Sequence, residues 1–200
     1  EPAAGDLWIG VPPELHDRCA EVIWDSPVEL PAVDPAELLA PDAPFELALP
    51  ILSYANPPGY SSVGIVNTAL WRSAQLPSTN THGTARALAA FYRALLEPGR
   101  VLQPDTLANA ATPQSSGPCP ILNDDASFGL GFTPTTERRP LGDGPRSFGH
   151  FGTGGALGFA DPDADLAFGY AMNHVIPRWQ SSRNRALIDA AAAAAASLTD

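Results

Sequence analysis

Lysine is absent from all 200 residues, and the eleven basic side chains are every one an arginine. A guanidinium stays protonated at any working pH, so none of these cations can take a proton from a nucleophile or condense with a carbonyl. The same absence excludes a phosphate-binding loop, whose lysine must reach the phosphates. Cysteine is scarce too: Cys19 and Cys119 stand alone and far apart. A disulfide framework is excluded, and two unpaired thiols are expected. No stretch supplies the roughly 18 apolar residues that span a bilayer. The four histidines, His16, His82, His150 and His174, are widely spaced and fit no metal-ligand pattern. No metal and no cofactor is therefore expected.

The charge that is present is mostly of one sign. Twenty-two acidic groups against eleven arginines give a net charge of −11, which repels nucleic acid and anionic membranes and excludes both as expected partners. An apolar content of 44% is ordinary for a globular chain, and the length can bury a real core as one domain, 1–200. The compartment stays open, with the cytoplasm slightly favoured.

Along the chain, Pro12 to Trp24 reads as a short helix with Leu15, Cys19, Val22 and Ile23 on one face. Residues 26–58 are rich in proline and acid, which bars a long helix or a central strand. The expectation is a wrapping loop with short turns and one helical turn at Pro35 to Leu39. Asn80 to Leu96 gives the clearest helix. Thr81 or Asn80 caps it, Ala85, Leu88, Ala89, Tyr92 and Leu95 form an apolar stripe, and Gly99 ends it. Pro104 to Ala111 predicts a second helix, Ser115 to Asp125 a loop, Phe128 to Thr133 a strand, and Glu137 to Arg146 a polar loop or hairpin. Arg178 to Leu198 predicts a closing helix with seven alanines, Ala190 to Ala196.

The stretch from Ser147 to His174 carries the most information. Phe148 and His150, then Ala156 to Ala160, then Leu166 to Met172 read as antiparallel strands, with Asp161-Pro162-Asp163-Ala164-Asp165 as the turn between the last two. Gly152, Gly154 and Gly155 carry no Cβ, so another backbone or a ligand can come close. Such a strand suits presentation of backbone N–H groups to a developing oxyanion, although a bulge in an ordinary sheet has the same composition. The strand order excludes a dinucleotide fingerprint.

The run His150-Phe151-Gly152-Thr153-Gly154-Gly155, followed by strand, turn, strand and C-terminal helix, resembles the penicillin-recognising serine hydrolases: class C β-lactamases, penicillin-binding proteins and the esterases built on their fold. The segment Thr79-Asn80-Thr81-His82-Gly83-Thr84-Ala85-Arg86 is similar to the start of a helix in the esterase-like members. The resemblance covers the C-terminal half of a complete family member. It implies an α/β (α+β) fold, with an antiparallel sheet packed by the alanine-rich C-terminal helix and with helices and the proline-rich loop on the other side. It further implies acyl transfer to a serine and hydrolysis of a small-molecule ester or amide. Residues 150–155 would line the substrate and oxyanion strand, chiefly through the N–H of Thr153. Phe151 departs from the usual Ser or Thr and removes a hydroxyl that would meet a β-lactam carboxylate, which favours an esterase.

The family's nucleophile sits in S-x-x-K, where a lysine takes the serine proton. A chain without lysine holds neither that motif nor a literal K-T-G. No catalytic residue is therefore assigned within the chain, which is expected to be inactive alone and completed by an N-terminal half in cis or trans. Its opening, which has no initiator Met and resembles a mid-chain segment, favours a fragment. A non-catalytic binding or regulatory module that keeps the pocket is the alternative. Tyr54-Ala55-Asn56 matches the family's Y-x-N in letters but stands before Pro57-Pro58, in loop context, and Ser61-Ser62 forms no G-x-S-x-G elbow.

Overall fold

A computed structural model of the chain describes residues 4–23, 65–122, 124–152, 154–176 and 181–198. Trp24, the proline-rich stretch with its expected turn at Pro35 to Leu39, and Tyr54, Ser61 and Ser62 lie outside the described residues, as does Thr153. In chain order come β1 (Leu7–Ile9), α1 (Ala69–Ser73), β2 (Thr81–Gly83), α2 (Ala85–Leu96), α3 (Pro104–Ala111), β3 (Ser115–Cys119) and β4 (Asp124–Phe128). There follow β5 (Thr133–Pro134), β6 (Phe148–Phe151), β7 (Leu157–Asp161), β8 (Leu166–Tyr170) and α4 (Ser182–Ser197). The main sheet is antiparallel in the order β5-β6-β7-β8, while β1 pairs with β2 and β3 with β4.

Alternation along the strands sorts two cores onto two faces. Phe151, Leu157 and Phe159 point to one side, where Leu141 and Ile188 of α4 complete a buried cluster. Phe148 and Ala160 point to the other, against Tyr92 and Leu95 of α2. A slip of one residue would exchange these sets, so burial on both faces pins the register Phe148↔Ala160 and Phe159↔Phe168. Each fully buried phenylalanine contributes on the order of 1.5–3 kcal/mol to that preference.

The α2 face of the sheet is built from small residues, and this lets the helix come close. A Cβ at Gly158 would stand 2.3 Å from Tyr92 Cε2, and one at Gly169 would stand 2.3 Å from the Ala85 carbonyl oxygen. At the far end of the sheet the fully buried Asp161 carboxylate accepts the N–H of Gly144 at 2.9 Å and of Asp163 at 3.0 Å. The β7–β8 turn is thereby fastened to the loop before β6, and Arg146 holds Asp163 from outside at 2.6 Å.

Several sequence expectations change in detail. The helix over Asn80 to Leu96 begins only at Ala85: Thr81–Gly83 pairs with β1, and Thr84, not Thr81 or Asn80, caps α2 by accepting the Ala87 N–H at 3.1 Å. The helix over Pro12 to Trp24 shrinks to a 3-10 turn, Pro13–Arg18. The cause is tertiary: Asn67 bonds both the N–H and the C=O of Val22, at 2.8 and 2.9 Å, and Ile23 bridges to His174, which pulls the chain out straight. The expected loop Ser115 to Asp125 is instead the paired strands β3 and β4, bridged by the hydroxyls of Ser116 and Ser127 at 2.9 Å. Pairing overrides the poor strand propensity of Gly117 and Pro118. The expected strand Phe128 to Thr133 is interrupted, because the Gly129 N–H bonds the Phe132 carbonyl in a tight turn packed on Ala110. The closing helix runs from Ser182 with Ser181 as its cap, and Arg178, where the sequence expectation began, lies outside the described residues. Helix Pro104–Ala111 and the turn between β7 and β8 stand as expected.

Replacement of Gly158 by Ala forces a methyl group into the Tyr92 ring and is expected to destabilise the fold by about 1–3 kcal/mol. Gly5→Ala, with nothing near the added Cβ, should change stability by less than about 0.5 kcal/mol. Urea unfolding of the two variants beside the parent chain measures the contrast.

Candidate active site

The strand end singled out by sequence is formed by β6 and the glycine turn behind it. β5 pairs with β6 only at Thr133↔Gly149 and Pro134↔Phe148, so its register stops one residue before His150. On the other side β7 pairs His150 with Gly158 and Phe151 with Leu157. Alternation then separates the two aromatic side chains. His150 lies in the row of Gly158 and Gly169 and is exposed, whereas Phe151 is 2% exposed and belongs to the α4-side core.

The Phe151 carbonyl accepts from His150 Nδ1 at 2.8 Å. A carbonyl can only accept, so Nδ1 carries a proton and donates here. Beyond the strand, the Gly152 N–H bonds the Ala156 carbonyl at 2.7 Å, and the Gly155 N–H returns to the Gly152 carbonyl at 3.0 Å. Gly155 has φ +108°, a conformation open to glycine and costly for any side chain. His150, Phe151, Gly152, Gly154 and Gly155 thus form one tight strand-and-turn unit.

Beside Phe151 a cleft of about 680 Å³ opens between the β3–β4 hairpin and β5. Pro118, Ala126, Pro134 and Phe151 give it apolar walls, and Arg138 and Arg139 stand at its rim, both paired with Asp124 at 2.9 Å. Sequence reading missed this cleft, because it treated the hairpin as a loop.

It also missed the residues behind the glycine turn. Asn184, fully buried in the first turn of α4, donates to the Gly155 carbonyl at 2.8 Å and accepts from the Ser181 hydroxyl at 2.7 Å. Arg183 reaches the carbonyls of Gly154 and His174 at 3.4 and 3.2 Å. A readable signal existed: Ser181-x-x-Asn184 has the spacing of a capping box with the wrong residue at its end, and asparagine inside a helix calls for a partner.

His82 and His16 lie elsewhere. His82, expected at the start of a helix, sits in β2 with Nδ1 donating to the Asn80 carbonyl at 2.8 Å and the Trp71 ring edge-on at 5.5 Å. His16 Nε2 donates to the Val11 carbonyl at 3.0 Å and lies 3.2 Å from Ser73 Oγ. Among the described residues no group of His, Cys, Asp or Glu is arranged to hold a metal ion, and both cysteines are free thiols.

The family model described as Beta-lactamase matches residues 2–193. The chain belongs to the beta-lactamase family. Its fold is shared with EstA from Arthrobacter nitroguajacolicus Rue61a, at TM-score 0.77 and 28% identity over 100% of this chain and 52% of that one. It is shared equally with a family VIII carboxylesterase, at TM-score 0.76 and 28% identity over 94% and 47%. Among curated proteins, Esterase/beta-lactamase LipL of Mycobacterium tuberculosis is 26% identical over 165 residues, which are 76% of this chain and 38% of LipL. The chain therefore spans about half, or less, of the length of these relatives. The beta-lactamase family assignment agrees with the α/β architecture, in which an antiparallel sheet is backed by a C-terminal helix.

Burial lowers the His82 pKa below 6.5; the Asn80 carbonyl opposes this, and the charges of Arg72 and His16 add to it. The unfolded chain then binds the proton first, so stability is complete above pH 6.5 and falls as the pH drops below it. His82→Gln should flatten this acid loss, as read by urea midpoints on both sides of that pH.

Proposed function

We propose that the chain forms the C-terminal part of a serine hydrolase of the esterase kind. One observation carries the reading: a glycine-rich strand end of the beta-lactamase family stands in a chain that contains no lysine. The serine and its lysine base then come from sequence outside these 200 residues, in the same polypeptide or in a second one. The serine oxygen adds to the ester carbonyl carbon while its proton passes to the base, and the carbonyl oxygen takes up the negative charge. Collapse breaks the bond to the alcohol oxygen, and the alcohol leaves with the proton. Water then adds to the acyl-serine and releases the carboxylic acid.

Residues 150–155 serve this sequence through their backbone, with the Thr153 N–H as donor to the oxyanion. His150, exposed beside it, accepts a proton at Nε2 or, once charged, donates to the substrate carbonyl or the leaving oxygen. Phe151 supports an ester over a β-lactam: its ring is packed in the core and offers no hydroxyl to a substrate carboxylate. The neighbouring cleft, with its apolar walls, suits the apolar part of a small-molecule ester or amide.

A fluorophosphonate probe followed by intact mass tests the assignment, with p-nitrophenyl butyrate turnover measured alongside. The 200-residue chain should remain unlabelled and idle, while a lysine-containing polypeptide that completes the fold should take the label. Label on a serine within these 200 residues would overturn the reading. A complete polypeptide that neither labels nor turns over would leave a binding module in its place. In the active protein, His150→Ala should lower kcat about 100-fold with thermal unfolding unchanged.

A further inference from the structure

We propose that Arg183 and Asn184 are positioning residues that set the direction of the peptide groups in the turn behind β6; their functional meaning rests on the acyl-hydrolase reading above. The argument is a relay of rigid planes. The Gly154 carbonyl receives Arg183 Nη2 at 3.4 Å and the Ile176 N–H at 3.0 Å. That carbonyl and the Gly155 N–H belong to one planar peptide group. Fixing the first aims the second, which meets the Gly152 carbonyl at 3.0 Å. The Gly152 carbonyl in turn shares its plane with the N–H proposed to stabilise the oxyanion. Asn184 holds the next plane, through the Gly155 carbonyl at 2.8 Å.

The geometry points to this use over simple helix capping. Ser181 already caps α4 by accepting the Asn184 N–H at 3.4 Å. The Asn184 amide oxygen takes the Ser181 hydroxyl while its N–H is directed across to the glycine turn, in a fully buried setting where losing that donor costs the Gly155 carbonyl this hydrogen bond. Arg183 is itself steered: its guanidinium lies 5.5 Å from the Tyr170 ring centroid and also bonds His174 O. Gly155 completes the fit, since a Cβ there would meet Arg183 Nη2 at 2.5 Å. A preset donor needs no rearrangement as charge develops, which is where oxyanion sites gain their rate.

Amide hydrogen exchange read by NMR tests the inference on the chain itself, with Arg183→Gln, the milder Arg183→Lys, and Asn184→Asp, which keeps shape but loses the donor. The Gly155 amide should exchange about tenfold faster in Arg183→Gln and Asn184→Asp, with the amides of β7 and β8 within about twofold of the parent. Unchanged Gly155 exchange in every variant, or equal acceleration across the whole sheet, would overturn it. If Arg183→Gln does not fold, Arg183→Lys and Asn184→Asp decide by the same comparison. In the polypeptide that carries the serine, Arg183→Gln should lower kcat about tenfold and leave KM within about twofold. A loosened Gly155 amide with unchanged kcat overturns the positioning role. A parent polypeptide without any turnover counts against the hydrolase reading instead, and the exchange data alone then decide this inference.

Discussion

The close seating of α2 on the sheet is the contact on which the rest of the fold depends. Gly158 and Gly169 leave no side chain between strand and helix, so Tyr92 and Leu88 lie directly on the backbone of β7 and β8. With one face closed this tightly, Phe148 and Ala160 are committed to α2, and Phe151, Leu157 and Phe159 to α4. His150 falls in the same row as the two glycines, at the margin of the helix rather than under it. Its exposure is thus a result of the same packing that buries its neighbours.

Phe151 illustrates how a strand's period decides chemistry. A residue at an odd step from His150 must point to the opposite face. A hydroxyl there would have to reach round the edge to serve a ligand on the His150 side. A phenyl ring has no reason to, and it fills the α4-side core beside Leu157 and Ile188. The position contributes packing through its side chain and geometry through its main chain, with Phe151 O receiving His150 Nδ1.

Much of this was legible in the sequence, and the misses have physical causes. The strands from Phe148 to Tyr170 and helix α3 follow from period and turn chemistry, which are local. The failures sit where distant residues intervene. Asn67 holds Val22 extended across 45 positions, and β1 claims Thr81–Gly83 from what reads as a helix start. The hairpin β3–β4 has a composition of turns and becomes sheet only through its cross-strand ladder. In the candidate site the glycines were readable, and Ser181-x-x-Asn184 marked an asparagine in need of a partner, but the partners of Arg183 and Asn184 were not readable: they are backbone carbonyls 29 residues away, which no spacing rule reports.

The bridge between Ile23 and His174 has an entropic side. The meander β6–β7–β8 closes over loops of a few residues, and its Asp161 clasp joins groups only 17 positions apart. The contact of Glu21 O with Asn173 Nδ2 closes a span of 152 residues. Chain-closure entropy rises with such separation, so this contact costs more entropy to form than the clasp within the meander. The segment that carries Ile23 bonds the strand-like stretch from Asn173 to Val175, and Ile176 next to it bonds Gly154. Through this one stretch the glycine turn is tied to a part of the chain far from it in sequence.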